Sequence, residues 1–328
     1  MLIEGTVYRG NSGNYTVRPR GGGEDYVVRL RGNLKKHLEY STSGSRPRRV
    51  THARKRRVTD PITVGDFVII DTEQGTIEEV LPRRSELART TPSGREQHVL
   101  VGNLDIVFVV FAAANPLPDP WLLDRFLLLT ESAELSPAIV VNKCDLADDI
   151  DATKAMFAVY EKIGYSILYT AAKRGQGIEE LRAALTGKIS AFTGPSGVGK
   201  SSLLNTLQPG LQLRTALADT ITNTGRHTTT HAELLPMDFG ADTWVADTPG
   251  LRQLDFWEID PEDTELCFPE LAPYLGTCQF SNCRHLSEPG CAVSAAAARG
   301  EIDSRRVESF QQLSKELVAA RSERTPGG

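Results

Sequence analysis

The residues that most constrain the fold of this chain are 194–201, Gly-Pro-Ser-Gly-Val-Gly-Lys-Ser, which fit the pattern G-x-x-x-x-G-K-S. An apolar run that ends at Phe192 precedes them, and the helix-like stretch 202–207 follows. Between a strand and a helix, such glycines let backbone N–H groups turn toward a phosphate, and the helix start adds its positive dipole. The stretch therefore predicts a nucleoside triphosphate site rather than an ordinary glycine turn.

Two side chains in this loop have specific predicted roles. Lys200 would reach the β- and γ-phosphates, and the hydroxyl of Ser201 would bind Mg²⁺. The full set of predicted phosphate-binding residues is Gly194, Pro195, Ser196, Gly197, Val198, Gly199, Lys200, Ser201 and Ser202.

Length and charge limit the class of protein. A chain of 328 residues predicts two or three domains. It has no apolar run of membrane-spanning length and no signal-peptide layout at its start, so we expect a cytoplasmic protein without membrane contact. The first 95 residues hold 18 Lys and Arg against 11 Asp and Glu, whereas the remainder holds 19 against 31. This asymmetry favours a polyanionic partner for the N-terminal part.

The N-terminal part reads as a small barrel. Five short β-like runs are separated by glycine- or proline-containing turns, at 4–9, 14–17, 26–30, 67–71 and 75–81. This number and spacing of strands fit a closed barrel of the oligonucleotide-binding (OB) type. Between the third and fourth runs, seven of the twelve residues 46–57 are Lys or Arg. That segment is either a solvated loop or an arm that contacts a phosphate backbone, and its place on a small barrel favours the arm.

The middle of the chain alternates apolar strands with helices, which predicts a mainly parallel α/β sheet that the strand before the phosphate loop joins. Asp119 and Pro120 provide an N-cap and a first helical residue. The predicted strands are 105–111, 138–141, 166–170, 231–235 and 243–246, and the predicted helices are 121–132, 152–163 and 177–185.

Two motifs follow strands of this sheet and point to guanine. Asn142-Lys143-Cys144-Asp145 is N-K-x-D, in which the Asp145 carboxylate accepts two hydrogen bonds from guanine that adenine cannot donate. Asn142 and Lys143 would brace the base and the phosphate loop. Thr-Ala-Ala-Lys at 170–173 resembles the S-A-K element, whose backbone contacts the guanine oxygen, with Ala171 in place of serine before Ala172 and Lys173.

The γ-phosphate side has its own motif. Asp247-Thr-Pro-Gly250 is D-x-x-G, whose aspartate would hold Mg²⁺ and whose glycine N–H would contact the γ-phosphate, although a simple turn is the alternative. Upstream, the threonines at 228–230 offer a hydroxyl to complete the Mg²⁺ shell. The pattern does not decide among them, and Thr229 is our assignment.

The order of these motifs differs from that of ordinary GTPases. The chain runs N-K-x-D, S-A-K, phosphate loop, threonine and D-x-x-G, which is the order G4-G5-G1-G2-G3 and thus a circular permutation. Permutation is tolerated where the original termini lie close together at the surface. The sequence therefore predicts a circularly permuted P-loop GTPase domain.

Four metal-ligand residues crowd the C-terminal part of the chain. Cys278, Cys283, His285 and Cys291 lie within fourteen positions, which favours one structural Zn²⁺ over disulfides or a plain cysteine cluster. Cys267 lies outside this spacing, and we expect it to be an ordinary thiol.

The permuted motifs, the N-terminal barrel and the spacing C-x4-C-x-H-x5-C together resemble the RsgA family of bacterial GTPases that depend on the small ribosomal subunit. The resemblance implies a GTPase that acts late in maturation of the 30S subunit, is stimulated by it and binds its 16S-type rRNA through the barrel and zinc domain. The implied domains are an OB-like barrel at 1–85, the permuted G domain at 86–258 and a zinc-binding helical domain at 259–328.

The sequence offers one candidate for activating the attacking water. Leu251 follows D-x-x-G where a Ras-type enzyme has a glutamine that orients water, and a leucine has no group to do so. His227 matches the family's switch histidine and could take that role, or it could make only a structural hydrogen bond. The predicted catalytic set is Lys200, Ser201, His227 and Asp247, in a chain expected to bind GTP and GDP as a monomer.

Two other functions compete with GTP hydrolysis in subunit maturation. In one, the chain is a GTP-gated RNA chaperone in which hydrolysis only times release. In the other it is an ATP-driven metabolic kinase, which N-K-x-D and the RNA-suited flanking domains disfavour.

Overall fold

The computed structural model describes residues 1–11, 13–31, 57–58, 62–90, 96–211, 232–247 and 259–324. The chain divides into two compact units. Unit 1 contains residues 1–106, 183–191 and 225–253, and unit 2 contains residues 107–182, 192–224 and 254–328. Among the residues described, no helix combines the length and apolar character needed to cross a membrane.

Unit 1 begins with a closed five-stranded barrel, as the sequence predicts. Its strands pair in the order β1-β2-β3-β6-β5, and all neighbours are antiparallel except β3 and β6. Alternate apolar side chains such as Val68 and Ile70 fill the interior, which is the period-two pattern of a strand with one buried face. The strands are β1 (Leu2–Asn11), β2 (Asn14–Pro19), β3 (Tyr26–Leu30), β5 (Phe67–Asp71) and β6 (Thr76–Val80).

A second small sheet in unit 1 was not predicted. It contains β4 (Arg57–Val58), β7 (Glu86–Thr90) and β8 (Glu96–Gly102), in the order β4-β8-β7. Just before β5, Asp66 is fully buried and accepts two hydrogen bonds from Arg83, at 2.6 and 2.8 Å. This buried ion pair links the barrel to the segment that enters β7.

Three parallel strands form the sheet of unit 2, in the order β11-β10-β9. They are β9 (Ile106–Ala112), β10 (Pro137–Asn142) and β11 (Ser166–Tyr169), and they alternate with α1 (Pro120–Ser132), α2 (Ile150–Ile163) and α3 (Ile178–Leu185). The predicted cap is present, because the carboxylate of Asp119 accepts a hydrogen bond from the N–H of Trp121 at 2.9 Å.

The phosphate loop follows β12 (Ile189–Thr193) and leads into α4 (Lys200–Leu207). Within unit 2, the end of β12 lies beside β9, since the ring of Phe192 stacks on Phe108 with centroids 5.1 Å apart. In unit 1, β12 pairs in parallel with β14 (Trp244–Asp247), which pairs antiparallel with β13 (Glu233–Pro236). The strand–loop–helix context predicted for the motif is therefore confirmed.

The C-terminal part of unit 2 has short 3-10 turns followed by α5 (Ala292–Ala298) and α6 (Ser304–Arg324). One face of α6, which carries Val307, Phe310, Leu313 and Leu317, is apolar and buried. These side chains share a core with Leu128 and Leu129 of α1. Helix α1 thus packs against both the parallel sheet and the C-terminal part of the chain.

A buried charge cluster reinforces this packing. Asp124 of α1 is fully buried and accepts hydrogen bonds from Tyr160 at 2.6 Å, Arg305 at 2.7 Å and Arg306 at 2.6 Å. Arg306 is 1% exposed and also donates to Glu270. The two guanidiniums compensate the buried carboxylates, so α6 is tied to α1 and α2 by charge as well as by apolar contact.

Candidate nucleotide site and metal centre

The phosphate loop adopts a backbone that only glycine tolerates at its key positions. Gly194 and Gly199 have φ values of 128° and 97°. A Cβ at Gly194 would collide with the carbonyl of Val110, and one at Gly199 would collide with the side-chain amide of Asn142. Both glycines are therefore required by backbone conformation and by close packing.

The start of α4 carries the donors that a phosphate would use. Its N-cap is Gly199, and no side chain there accepts a hydrogen bond from the first turn of the helix. The ammonium of Lys200 lies across the loop and donates to the carbonyls of Gly194 and Pro195, both at 2.7 Å. This concentrates backbone N–H groups and one positive charge at a single loop, which suits a phosphate.

Asn142 joins three of the predicted motifs. Its side-chain Nδ2 donates to the carbonyl of Val198 in the phosphate loop at 2.9 Å. Its Oδ1 accepts from the N–H of Ala172 at 3.3 Å and from the hydroxyl of Thr170 at 3.1 Å. N-K-x-D, the S-A-K-like element and the phosphate loop therefore meet around one buried amide.

The other residues of N-K-x-D lie at the same place. Lys143 has a left-handed backbone (φ 61°), and its ammonium donates to the carbonyl of Asn115. Burial, followed by repulsion from Lys173, lowers the pKa of Lys143. The carboxylate of Asp145 lies 3.9 Å from the guanidinium of Arg174, just after the S-A-K-like element. The positively charged groups here suit the Asp145 carboxylate and the phosphates of a bound nucleotide. Ala171 of the S-A-K-like element is fully buried.

The structure places Asp247 at the exposed end of β14, in unit 1. It lies directly opposite Glu233 in the pairing of β13 with β14. Ser201 is the second residue of α4, and its hydroxyl and the Asp247 carboxylate are both oxygen ligands of the kind Mg²⁺ prefers. Three other predicted residues, His227, Thr229 and Gly250, lie outside the described residues.

The four predicted zinc ligands converge. The ligand atoms of Cys278, Cys283, His285 and Cys291 all lie within 4.8 Å of one another. The Nδ1 atom of His285 faces the three sulfurs, at 3.4, 3.7 and 3.4 Å. A backbone N–H, that of Ala292, also donates to the sulfur of Cys278 at 3.2 Å. Three thiols and one imidazole nitrogen at these distances fit a structural zinc ion.

The thiols of this cluster differ in acidity, because burial raises the pKa of Cys283 to about 12 whereas the pKa of Cys291 is lowered. Burial raises the pKa of the Cys291 thiol, but hydrogen bonds from Ser294 and His285 outweigh it and bring the pKa to about 7. Burial raises the pKa of Cys267 to about 12, so that residue stays a neutral thiol. Cys267 is not one of the four residues whose ligand atoms lie within 4.8 Å of one another, in keeping with its spacing.

The sequence did not reveal a partner of His285. The Nε2 atom of His285 lies 3.4 Å from a carboxylate oxygen of Glu265. Such a carboxylate orients a metal-binding imidazole and fixes its tautomer. Glu265 lies twenty positions upstream in an acidic stretch, where the sequence offers no signal that separates it from Glu262 or Asp263.

The guanine-type loop and the phosphate loop share one buried amide and follow each other in permuted order along the chain. These features define a circularly permuted P-loop GTPase, in a chain that also contains a barrel and a Cys₃His group. Comparison with known families identifies the family of GTPases. The RsgA GTPase family model matches residues 80–257, and the chain belongs to the RsgA GTPase family.

Individual relatives resemble the chain along almost its whole length. The small ribosomal subunit biogenesis GTPase RsgA of Gemmatimonas aurantiaca is 41% identical over 315 residues, which cover 96% of this chain and 97% of the relative. The crystal structure of YjeQ from Thermotoga maritima superposes with a TM-score of 0.76 at 36% identity, covering 97% of this chain and 99% of that one. The structure of YloQ, described as a circularly permuted GTPase, gives 0.71 at 29% identity, with coverage of 100% and 98%.

Proposed function

We propose that this chain hydrolyses GTP late in the maturation of the small ribosomal subunit and that the subunit stimulates its turnover. The observation that carries the GTPase part is the Asn142 amide, which joins the base loop to the phosphate loop at 2.9 Å. The ribosomal part is supported by similarity to a relative of that name over 96% of the chain.

Each residue of the nucleotide site has a proposed role. Asp145 reads the guanine edge, Asn142 and Lys143 brace the loop, and the backbone of residues 171–173 contacts the guanine oxygen. Residues 194–199 hold the phosphates through N–H groups, with Lys200 on the β- and γ-phosphates and Gly250 sensing the γ-phosphate. Magnesium, which Ser201, Thr229 and Asp247 would hold, neutralises charge on the β- and γ-phosphates when bound.

We assign the activation of the attacking water to His227. Leu251 lacks a polar group, whereas an imidazole can accept a hydrogen bond from the attacking water. If so, His227→Ala lowers turnover while the affinity for GTP stays near that of the wild type. Equal turnover of the two proteins, with and without subunits, would return His227 to a structural role.

Ribosomal RNA is the proposed macromolecular partner of the barrel and the zinc domain. Residues 1–95 are net positive in sequence, and the five strands described between Leu2 and Val80 form a closed barrel of a type that binds oligonucleotides. The nucleotide state would control how tightly the chain grips the subunit. By linkage, GTP and the subunit then tighten each other's binding by the same factor.

The main experiment measures GTP turnover of the full chain with and without purified small subunits, with Lys200→Ala as the inactive reference. Stimulation of the wild type alone supports the proposal. Wild-type turnover in Lys200→Ala would contradict the assignment of the phosphate loop. If RNA remodelling proceeds unchanged with a non-hydrolysable GTP analogue, the chain is a GTP-gated chaperone in which hydrolysis only times release.

A second experiment tests whether the basic segment, residues 46–57, contacts the subunit. Subunit affinity is measured at several salt concentrations for the wild type and for a variant with Arg54, Lys55, Arg56 and Arg57 changed to alanine. Each lost phosphate contact should flatten the slope of log affinity against log salt by about 0.7–0.9. A control with Lys154 and Lys162 of α2 changed to alanine should keep the slope. An unchanged slope in the first variant removes the segment from the interface.

A further inference from the structure

The strand that ends at Asp247 belongs to a hairpin held by the barrel. Here the term hairpin denotes β13, β14 and the turn between them, residues 233–247. Glu233, at its start, is the cross-strand partner of Asp247, and Pro236 is that of Trp244. Facing residues of an antiparallel pair have Cβ atoms only about 4.5–5.5 Å apart, so a displacement of either strand moves Asp247.

An aromatic stack provides the first anchor. The ring of Tyr8, from β1, stacks on Trp244 with centroids 5.4 Å apart and planes inclined by 25°. Both rings are buried, at 8% and 2% exposure. The guanidinium of Arg18 lies 5.3 Å from the Tyr8 ring centre and 5.4 Å from that of Trp244, and so covers both rings.

The side chains of this anchor are held in turn by hydrogen bonds to Asp25, an exposed residue just before β3. Asp25 accepts two hydrogen bonds from Arg18, at 2.7 and 2.9 Å, and a third from the Tyr8 hydroxyl at 2.8 Å. Hydrogen bonding to Arg18 lowers the pKa of Asp25, despite burial that opposes it. The stack is therefore a fixed part of the barrel surface rather than an adaptable contact.

Two polar contacts hold the ends of the hairpin. Arg9 of β1 pairs with the carboxylate of Glu233. At the turn, the carboxylate of Asp242 accepts the backbone N–H of Gly21 at 3.0 and 3.2 Å. The barrel thus contacts the start of β13, the turn and the start of β14.

The distance from these contacts to Asp247 is short. Trp244 and Asp247 are three residues apart on one strand, roughly 10 Å at about 3.3 Å per residue. A strand is stiff over such a length, and Glu233 lies directly across from Asp247. A change in how the barrel holds Trp244 and Glu233 is therefore transmitted to the Asp247 backbone.

We propose that the barrel is a positioning element for the magnesium aspartate, acting through Tyr8, Arg9 and Gly21 on the hairpin. The inference rests on the proposed function, because it takes Asp247 as a ligand of Mg²⁺. The contacts with the barrel set the place of Asp247, so they set how strongly Mg²⁺ increases the affinity for GTP. A partner that binds the barrel could therefore change the binding of Mg²⁺ without contacting the nucleotide.

The test uses the full chain and compares affinity for a non-hydrolysable GTP analogue in Mg²⁺ and in EDTA. The variant Arg9→Met/Asp242→Gly removes the two exposed contacts, and glycine accepts the positive φ of 54° at position 242. Removing a group that touches a metal ligand costs about 10–100-fold in metal affinity, and these groups act one step further away, so we expect the Mg²⁺ effect to fall roughly 3- to 10-fold. Affinity in EDTA should stay unchanged.

Arg31→Met is the matched control. Its side chain is 53% exposed, close to the 58% of Arg9, and its ion pair with Glu78 lies inside the barrel. A second pair of variants tests the stack, since Tyr8→Phe keeps the ring and should behave as the wild type, whereas Tyr8→Leu should show the smaller Mg²⁺ effect.

Three results obtained with the variants overturn the inference. One is an unchanged Mg²⁺ effect in Arg9→Met/Asp242→Gly, and another is an equal loss in Mg²⁺ and in EDTA, which would mean general damage to the fold. The third is an equal change in Arg31→Met. Absence of GTP binding or of any Mg²⁺ effect in the wild type overturns the proposed function and the inference with it, and is recognised before any variant is compared.

Discussion

The side-chain amide of Asn142 donates to the carbonyl of Val198 over 2.9 Å, which fixes the base loop against the phosphate loop. Asn142→Ala should leave this carbonyl and the N–H of Ala172 without partners, at about 1–3 kcal/mol for each buried group. We expect weaker GDP binding and a lower urea midpoint. Asn142→Asp keeps an acceptor for Ala172 but turns a charged oxygen toward the Val198 carbonyl, so it should weaken the join between the two loops as well. Wild-type stability and affinity in Asn142→Ala would contradict the joining role.

Asp145→Asn should change base preference. The amide reverses one half of the hydrogen-bond pairing, so GTP binding should weaken by roughly 1.5–3 kcal/mol, about ten- to hundredfold, while xanthosine triphosphate binding improves. Nucleotide titration measures both. Asp148→Asn, an exposed neighbour, should bind GTP as the wild type does. Unaltered GTP affinity in Asp145→Asn would remove the guanine-reading assignment.

Purified protein should contain about one equivalent of zinc, because three thiolates and an imidazole form a closed tetrahedral site. Cys283→Ser should lose the metal and unfold the C-terminal part, whereas Cys267→Ser should retain it, since Cys267 lies outside the cluster. Metal analysis and circular dichroism after chelation check both. Zinc-free protein isolated under reducing conditions, with its fold intact, is the contrary result.

Neighbouring residues of α1 should differ widely in their effect on stability. Asp124→Ala leaves two guanidiniums facing one buried carboxylate fewer, with Glu270 the carboxylate that remains on Arg306, and should cost about 3–5 kcal/mol. Arg125→Met removes a half-exposed pair with Glu316 and should change the free energy of unfolding by at most about 1 kcal/mol. Chemical denaturation of both variants measures the difference. Equal effects would mean that the buried cluster does not hold α6 to α1.

Glu131 should make stability depend on pH. Burial raises its pKa, against the hydrogen bond from Tyr165, so the folded chain binds this proton more tightly than the unfolded chain does. Its contribution is fully present below the unfolded pKa of about 4.3 and is lost as pH rises through the folded value. Glu131→Gln should therefore gain stability relative to the wild type as the pH rises from 4 to 7. Urea midpoints that run parallel over this range would refute the assignment.

Local patterns predicted much of the fold and of the candidate site. The five barrel strands, the parallel strands around N-K-x-D and the helix that begins at Pro120 are all present with bounds shifted by at most two residues. Strands β7 and β8 were missed, because short runs with charged residues such as Glu86 and Glu96 have no clear apolar alternation.

What the sequence by itself determined are the features encoded within a few neighbouring residues. Gly194 and Gly199 mark a loop because the backbone there has positive φ, and the zinc ligands lie within one short segment. Tertiary structure alone decided which distant groups meet. Asn142 and Val198 are 56 positions apart, Arg306 and Asp124 are 182 apart, and Tyr8 reaches Trp244 from another part of the chain. These contacts depend on the order in which strands and helices pack, which local periodicity does not encode.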